Sequence, residues 1–141
     1  MPKERVRDVM TMSVSRLPSD QTVTAAARLM EAENVGDVVV TGMAGDLRGV
    51  VTDRDIAVRA VARGLDPKTT ELGEICTGDL VTVASDTKLA DAEALMADRA
   101  VRRLPVVDDG KVVGIVSLGD VAQRHEPDST LGEISSAPPN R

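Results

Sequence analysis

The sequence predicts an α/β fold of the α+β kind, in which one β-α-β-β-α unit with a short leading helix is used twice. Three observations carry that expectation. A short pattern recurs, first as Gly49-Val50-Val51-Thr52-Asp53-Arg54-Asp55 and again as Gly114-Ile115-Val116-Ser117-Leu118-Gly119-Asp120. Its surroundings recur with it. A shift of 66 lays Thr11 on Thr77, Ser19-Asp20 on Ser85-Asp86, Leu29-Met30 on Leu95-Met96 and Val40 on Val106. One residue is then lost in a polar turn, and a shift of 65 lays Gly49 on Gly114 and Asp55 on Asp120. Finally, the apolar pattern changes between helix-like and strand-like stretches in the same order in both halves, so the chain reads as a duplicated unit of about 60 residues.

The elements follow in order. Val6 to Met10 suits a short helical turn, and Val14 to Leu17 a short strand broken by Pro18-Ser19-Asp20. Thr22 to Glu33 is helical, with Val23, Ala26, Leu29 and Met30 spaced for one buried face. Asp37 to Thr41 is an apolar run suited to a buried strand. Gly42 to Asp46 turns the chain into a strand over Leu47 to Val51, and Thr52 to Arg63 is a helix stopped by Gly64. The second half repeats this with a turn at Leu72 to Cys76, strand Leu80 to Val83, helix Thr87 to Arg99, strand Arg103 to Val107, turn Asp108-Asp109-Gly110, strand Lys111 to Val116 and helix Leu118 to Glu126. Strand–helix–strand crossovers bring parallel pairing, and the tight turns bring antiparallel hairpins. The domain reading is repeat 1 over 6–64, a linker over 65–71, repeat 2 over 72–126 and a polar, Pro-rich tail over 127–141, in which Leu131 and Ile134 are the residues able to anchor it. A unit this small is marginal alone, so the halves are expected to share a core.

Composition removes several function classes. The net charge of −6 argues against a nucleic-acid or anionic-membrane surface. With no Phe, Tyr or Trp, the stacking platforms of RNA and single-strand readers are missing, and a planar base would have to lie between aliphatic side chains. One cysteine permits no intramolecular disulfide and suits a reducing compartment; no membrane span or signal peptide is legible, so the expectation is a cytoplasmic protein. No nucleophile–base pair, Walker loop or dinucleotide fingerprint is present, and the expectation is not an enzyme.

The repeated motif carries the chemistry. A hydroxyl residue at the end of a buried strand, where a helix begins, presents outward N–H groups and a hydroxyl, with the aspartate one turn on. That arrangement suits a phosphate or a sugar. Thr52 with Asp55, and Ser117 with Asp120, also match a helix-start capping box, and the two roles are compatible. Arg54, Arg102, Arg103 and Lys111 are candidate phosphate partners, Arg102 and Arg103 foremost. The first repeat has Gly36-Asp37 where the second has Arg102-Arg103, so the two sites are expected to be unequal. Cys76 takes the repeat position of Met10 and reads as a small buried hydrophobe. His125, the only histidine, reads as a partner of a helix end, and no metal site is expected.

These residues resemble the cystathionine-β-synthase (CBS) domain family, and the chain is similar to a tandem CBS pair, or Bateman module, over Val6 to Glu126. The carriers are the two Gly-apolar-apolar-Thr/Ser-x-x-Asp motifs and Arg103-Leu104-Pro105-Val106-Val107. The resemblance implies a disc-like pseudo-two-fold pair of repeats with clefts that bind AMP, ADP, ATP or S-adenosylmethionine. It implies Asp55 and Asp120 on the ribose hydroxyls, Thr52 and Ser117 facing phosphate, and Arg102, Arg103, Leu104 and Pro105 lining the second site. No cofactor is required; the nucleotide is a ligand of a regulatory module. The nearly all-apolar stretch Asp55 to Ala62 needs cover on more than one side, from the other repeat or from a second copy of the chain. The family pairs into flat dimers, so the resemblance implies a homodimer, with an effector protein as a further partner. The alternative is a stress-related structural or interaction protein that keeps the fold and binds no nucleotide.

Overall fold

The computed structural model describes residues 4–78 and 80–125. The expectations for the tail beyond 126, including the Leu131 and Ile134 anchors, lie outside them. Among the described residues five strands and five helices follow one another in the expected order, with one of the six expected strands missing. β1 is Arg16–Pro18, α1 Val23–Glu33, β2 Asp37–Thr41, β3 Leu47–Thr52, α2 Asp53–Asp55, α3 Leu72–Ile75, α4 Leu89–Arg99, β4 Arg103–Asp108, β5 Lys111–Ser117 and α5 Leu118–His125. A 3₁₀ turn at Val6–Asp8 precedes them, and α2 runs on into a π-helical segment, Ile56–Val61.

The compact units in space are not the repeats in sequence. One unit contains Val14–Leu80; the other joins the segment before Val14 to the chain from Val81 onward. Each repeat's leading turn therefore packs with the other repeat's strands and helices. In the first unit β1 pairs parallel with β2, and β2 antiparallel with β3. Its apolar cluster takes Val23, Ala26 and Met30 from α1, Val38, Val40 and Val51 from the hairpin, and Leu72 and Ile75 from α3. In the second, β4 pairs antiparallel with β5, and the cluster takes Leu89, Ala92 and Met96 from α4, Leu104, Val106 and Val116 from the hairpin, and Val6 from the leading turn. Where one shared core was expected, the described residues form two clusters, each completed by a segment from the other half of the sequence.

The repeat glycines explain how those segments dock. Val50 and Thr77 exchange backbone bonds of 3.1 and 3.0 Å, and Ile115 and Thr11 exchange bonds of 3.0 and 2.8 Å. The incoming strand residue lies across the glycine of the motif: a Cβ on Gly49 would stand 2.5 Å from the Thr77 carbonyl oxygen, and one on Gly114 2.8 Å from that of Thr11. Only a residue without a side chain permits this approach.

Three local expectations are corrected. The predicted strand Leu80 to Val83 reduces to a single parallel bridge between Val83 and Val106. Pro18 does not break β1 but ends it, opposite Thr41, where its missing N–H costs no ladder bond and Ser19 N–H bonds the Thr41 carbonyl at 2.9 Å. The helix predicted over Thr52 to Arg63 stops at Val61 and is largely π-helical. Both long helices end on a left-handed residue, Asn34 (φ 55°) and Ala100 (φ 53°), which are repeat counterparts. Asp109 and Gly110, both at positive φ, make the tight turn between β4 and β5.

Candidate functional site

Both motifs fold into the same junction. Thr52 and Ser117 are the last residues of β3 and β5, and their side chains cap the helices that follow. Asp55 N–H donates to Thr52 Oγ1 at 3.0 Å, while Asp55 Oδ2 accepts the Thr52 N–H at 2.9 Å. Asp120 N–H donates to Ser117 Oγ at 3.1 Å, and Asp120 Oδ2 accepts the Ser117 N–H at 2.9 Å. The capping-box geometry is therefore present twice. In each box the hydroxyl oxygen accepts; its own proton is not used there. All four residues are half-buried.

A second tie places the facing strand. Asp53 N–H bonds the Gly36 carbonyl at 2.9 Å, and Leu118 N–H bonds the Arg102 carbonyl at 2.8 Å. The antiparallel register then sets Asp37 opposite Thr52 and Arg103 opposite Ser117. At equivalent positions beside the hydroxyl, one junction has a carboxylate and the other a guanidinium. The unlike residues noted in the sequence thus stand in the same register position of the two hairpins.

The remaining predicted residues separate. Arg102 is exposed next to the Ser117 junction. Leu104 is fully buried among the core residues of its unit, so its side chain serves packing, not a ligand. Pro105 is buried on the other face of β4, and its carbonyl accepts the Val83 N–H at 3.1 Å. Lys111 pairs with Asp108 at the far end of the hairpin, six residues from Ser117. At about 3.3 Å per residue that is roughly 20 Å away, which removes Lys111 from the site. Arg54 is exposed beside the first junction.

Arg59, which the motif does not single out, also belongs here. Its Nε stands 3.8 Å from Asp55 Oδ1, and its Nη1 donates to the Ile75 carbonyl at 3.1 Å. The available signal was its place four residues after Asp55, one helical turn on. Cys76, at the repeat position of Met10, packs against Gly49 and is half-buried where a buried residue was expected. Burial pushes its thiol above the ordinary value; its own backbone hydrogen bond opposes the rise, Asp55 adds to it and Arg59 opposes it. Among the described residues, no three His, Cys, Asp or Glu side chains stand together to hold a metal ion.

The CBS domain profile matches residues 6–61 and 72–125, so that each match takes in one of the two junctions. The chain belongs to the CBS domain family. This CBS pair is 42% identical over 127 residues to the CBS domain-containing protein YhcV of Bacillus subtilis, covering 90% of this chain and 89% of that one. Among solved structures it resembles Hypoxic Response Protein I, whose crystal structure has two coordinated zinc ions (TM-score 0.78, 35% identity, 88% of this chain and 100% of that one). It also resembles the CBS domain pair of protein MJ0100, in complex with 5′-methylthioadenosine and S-adenosyl-L-methionine (TM-score 0.76, 26% identity, 91% and 100%). The mixed α/β fold of this CBS pair is the one those relatives share.

Proposed function

We propose that this CBS pair is a non-catalytic regulatory module that binds an adenine nucleotide or S-adenosylmethionine through its motif junctions. The observation that carries this reading is the Ser117–Asp120 junction. It offers a hydroxyl proton, a carboxylate one turn on and a guanidinium in register across the hairpin, the set that a phosphate and a ribose diol would use. A relative of the same fold binds adenosine derivatives. Asp120 would accept from ribose hydroxyls in charge-assisted bonds of about 1.5–3 kcal/mol each, and Ser117, Arg102 and Arg103 would face the anion. The Thr52–Asp55 junction, with Asp37 beside it, would bind an anion less well. The module would act in the cytoplasm as a homodimer and pass its state to a separate effector.

The test uses the missing aromatics. Protein without Phe, Tyr or Trp leaves the 260 nm region to any bound adenine. The expected result is a co-purifying 260 nm band, or calorimetric binding of at least one of AMP, ADP, ATP and S-adenosylmethionine near −8 kcal/mol, about micromolar. Asp120→Asn should weaken that binding by about tenfold, some 1.4 kcal/mol, and Asp55→Asn by less. A flat spectrum with no heat for any of the four would leave the structural, non-binding alternative.

The capping boxes give that alternative its one specific support, since each already employs the hydroxyl oxygen and one carboxylate oxygen in holding the helix. For self-association, the surface of Val14–Leu80 has a shallow depression in which Val23, Ala27, Ile56, Val61 and Pro67 are joined by Thr24, Arg28 and Glu31. Val58 and Val61 beside it are 47% and 67% exposed, so the helix read as apolar nearly all round is uncovered on this side.

A further inference from the structure

Arg59 stands between the first motif and the segment that leads into the second repeat. A chain of contacts passes through it. Asp55 Oδ2 holds the Thr52 N–H, and Asp55 Oδ1 faces Arg59 Nε at 3.8 Å. Arg59 Nη1 donates to the carbonyl of Ile75, the last residue of α3, at 3.1 Å. A helix-terminal carbonyl has no donor of its own, so this bond holds the end of α3. The next residue, Cys76, lies with its Sγ only 2.8 Å from where a Cβ on Gly49 would stand, and Thr77 bonds Val50 in β3. The ring of contacts thus starts at Thr52 and returns to the same strand.

We propose that Arg59 is a positioning residue that clamps the end of α3 to the motif carboxylate, so that engagement of Asp55 is transmitted to the segment around Cys76. A guanidinium suits this task because its fixed fork presents donors in two directions, toward the carboxylate and toward the carbonyl. A lysine ammonium at the end of a flexible stem cannot keep both. The π-helical turn that carries Arg59 is the kind of irregularity found at working positions in helices. A polyhydroxyl ligand drawing on Asp55 would loosen the hold on Arg59, and through it the end of α3. That regulatory consequence rests on the nucleotide reading of Asp55; the clamp itself does not.

Cys76 is the chain's only thiol, so its alkylation by iodoacetamide reports the clamp directly. The thiolate is the reacting form. If charge alone linked these residues, Arg59→Met would raise the thiol further and slow alkylation, Asp55→Asn would speed it, and Arg59→Lys would match the unsubstituted protein. A clamp predicts otherwise. Arg59→Met, Arg59→Lys and Asp55→Asn should each accelerate alkylation by about tenfold, with the Arg59→Met/Asp55→Asn pair no faster than the quicker single change. Opposite directions for the two positions, or unchanged rates in variants that keep the circular dichroism of the parent, would overturn the proposal. Should Asp55→Asn not fold, the two Arg59 variants decide alone: both faster supports the clamp, while Met slower with Lys unchanged refutes it. Calorimetry with the four nucleotides on the unsubstituted protein is read separately, and its failure would remove the ligand and leave the clamp standing.

Discussion

Gly49→Ala is the most direct probe of the way the two halves of the sequence are exchanged. The added methyl would meet the Thr77 carbonyl oxygen at 2.5 Å and Cys76 Sγ at 2.8 Å. The backbone carbonyl cannot turn aside, so Thr77 must retreat and its two bonds with Val50 must lengthen or break. Two such bonds contribute a net of about 1 kcal/mol each. Displacing the α3 end from its packing adds about 1 kcal/mol, and the stiffer unfolded chain returns about 0.5 kcal/mol. The expected loss is about 2–3 kcal/mol, or roughly 7–12 °C in melting temperature for a chain of this size. Circular dichroism at 222 nm is the assay, since no aromatic residue offers a fluorescence signal. Gly45→Ala is the control: Gly45 has φ 83° and nothing within 4 Å, so only the left-handed backbone strain of about 1 kcal/mol applies. A Gly49→Ala melting point within 2 °C or so of the parent, or full rescue of that variant by Cys76→Ala, would refute the reasoning, because the closer obstacle is the Thr77 backbone.

Other outcomes follow from single observations. Ala100 ends α4 at φ 53°, so Ala100→Gly should relieve left-handed strain and raise stability by about 0.5–1 kcal/mol, a rise of some 2–4 °C measured in the same way. Ser85 donates to Asp108 through Oγ at 2.5 Å and through its N–H at 3.0 Å, and these bonds hold the Asp108 carboxyl below its usual value near 3.8. A depressed carboxyl stabilises the fold above its ordinary pKa, and the contribution disappears as pH falls through the lowered one. Ser85→Ala should therefore flatten the acid limb of the stability profile below about pH 4, seen in urea titrations at stepped pH. Sedimentation should give twice the 14.9 kDa chain mass, and Val61→Glu should reduce it. Ala60 would be a misleading choice there, being fully buried in its own unit.

What the sequence determined was the local grammar. A glycine, two β-branched residues, a hydroxyl and an aspartate at fixed spacing are enough to end a strand and start a capped helix, because each of those steps is settled within one turn of chain. That is why the two junctions, the hairpins and the ends of the two long helices at Glu33 and Arg99 stand where the repeats placed them, and why Asp37 against Arg103 could be noticed before any pairing was known. Tertiary structure decided the rest. The leading turns dock on the hairpin of the opposite repeat, since Gly49 and Gly114 leave room for a backbone that arrives from far along the chain, and no local pattern records which strand residue will come. It decided that Leu104 faces the core while Arg103 faces Ser117, a consequence of strand alternation and register. It set Lys111 at the wrong end of the hairpin. It also joined Arg59 to Ile75, sixteen residues on, a bond that exists only because packing brings α3 beside the motif helix and leaves its last carbonyl in need of a donor.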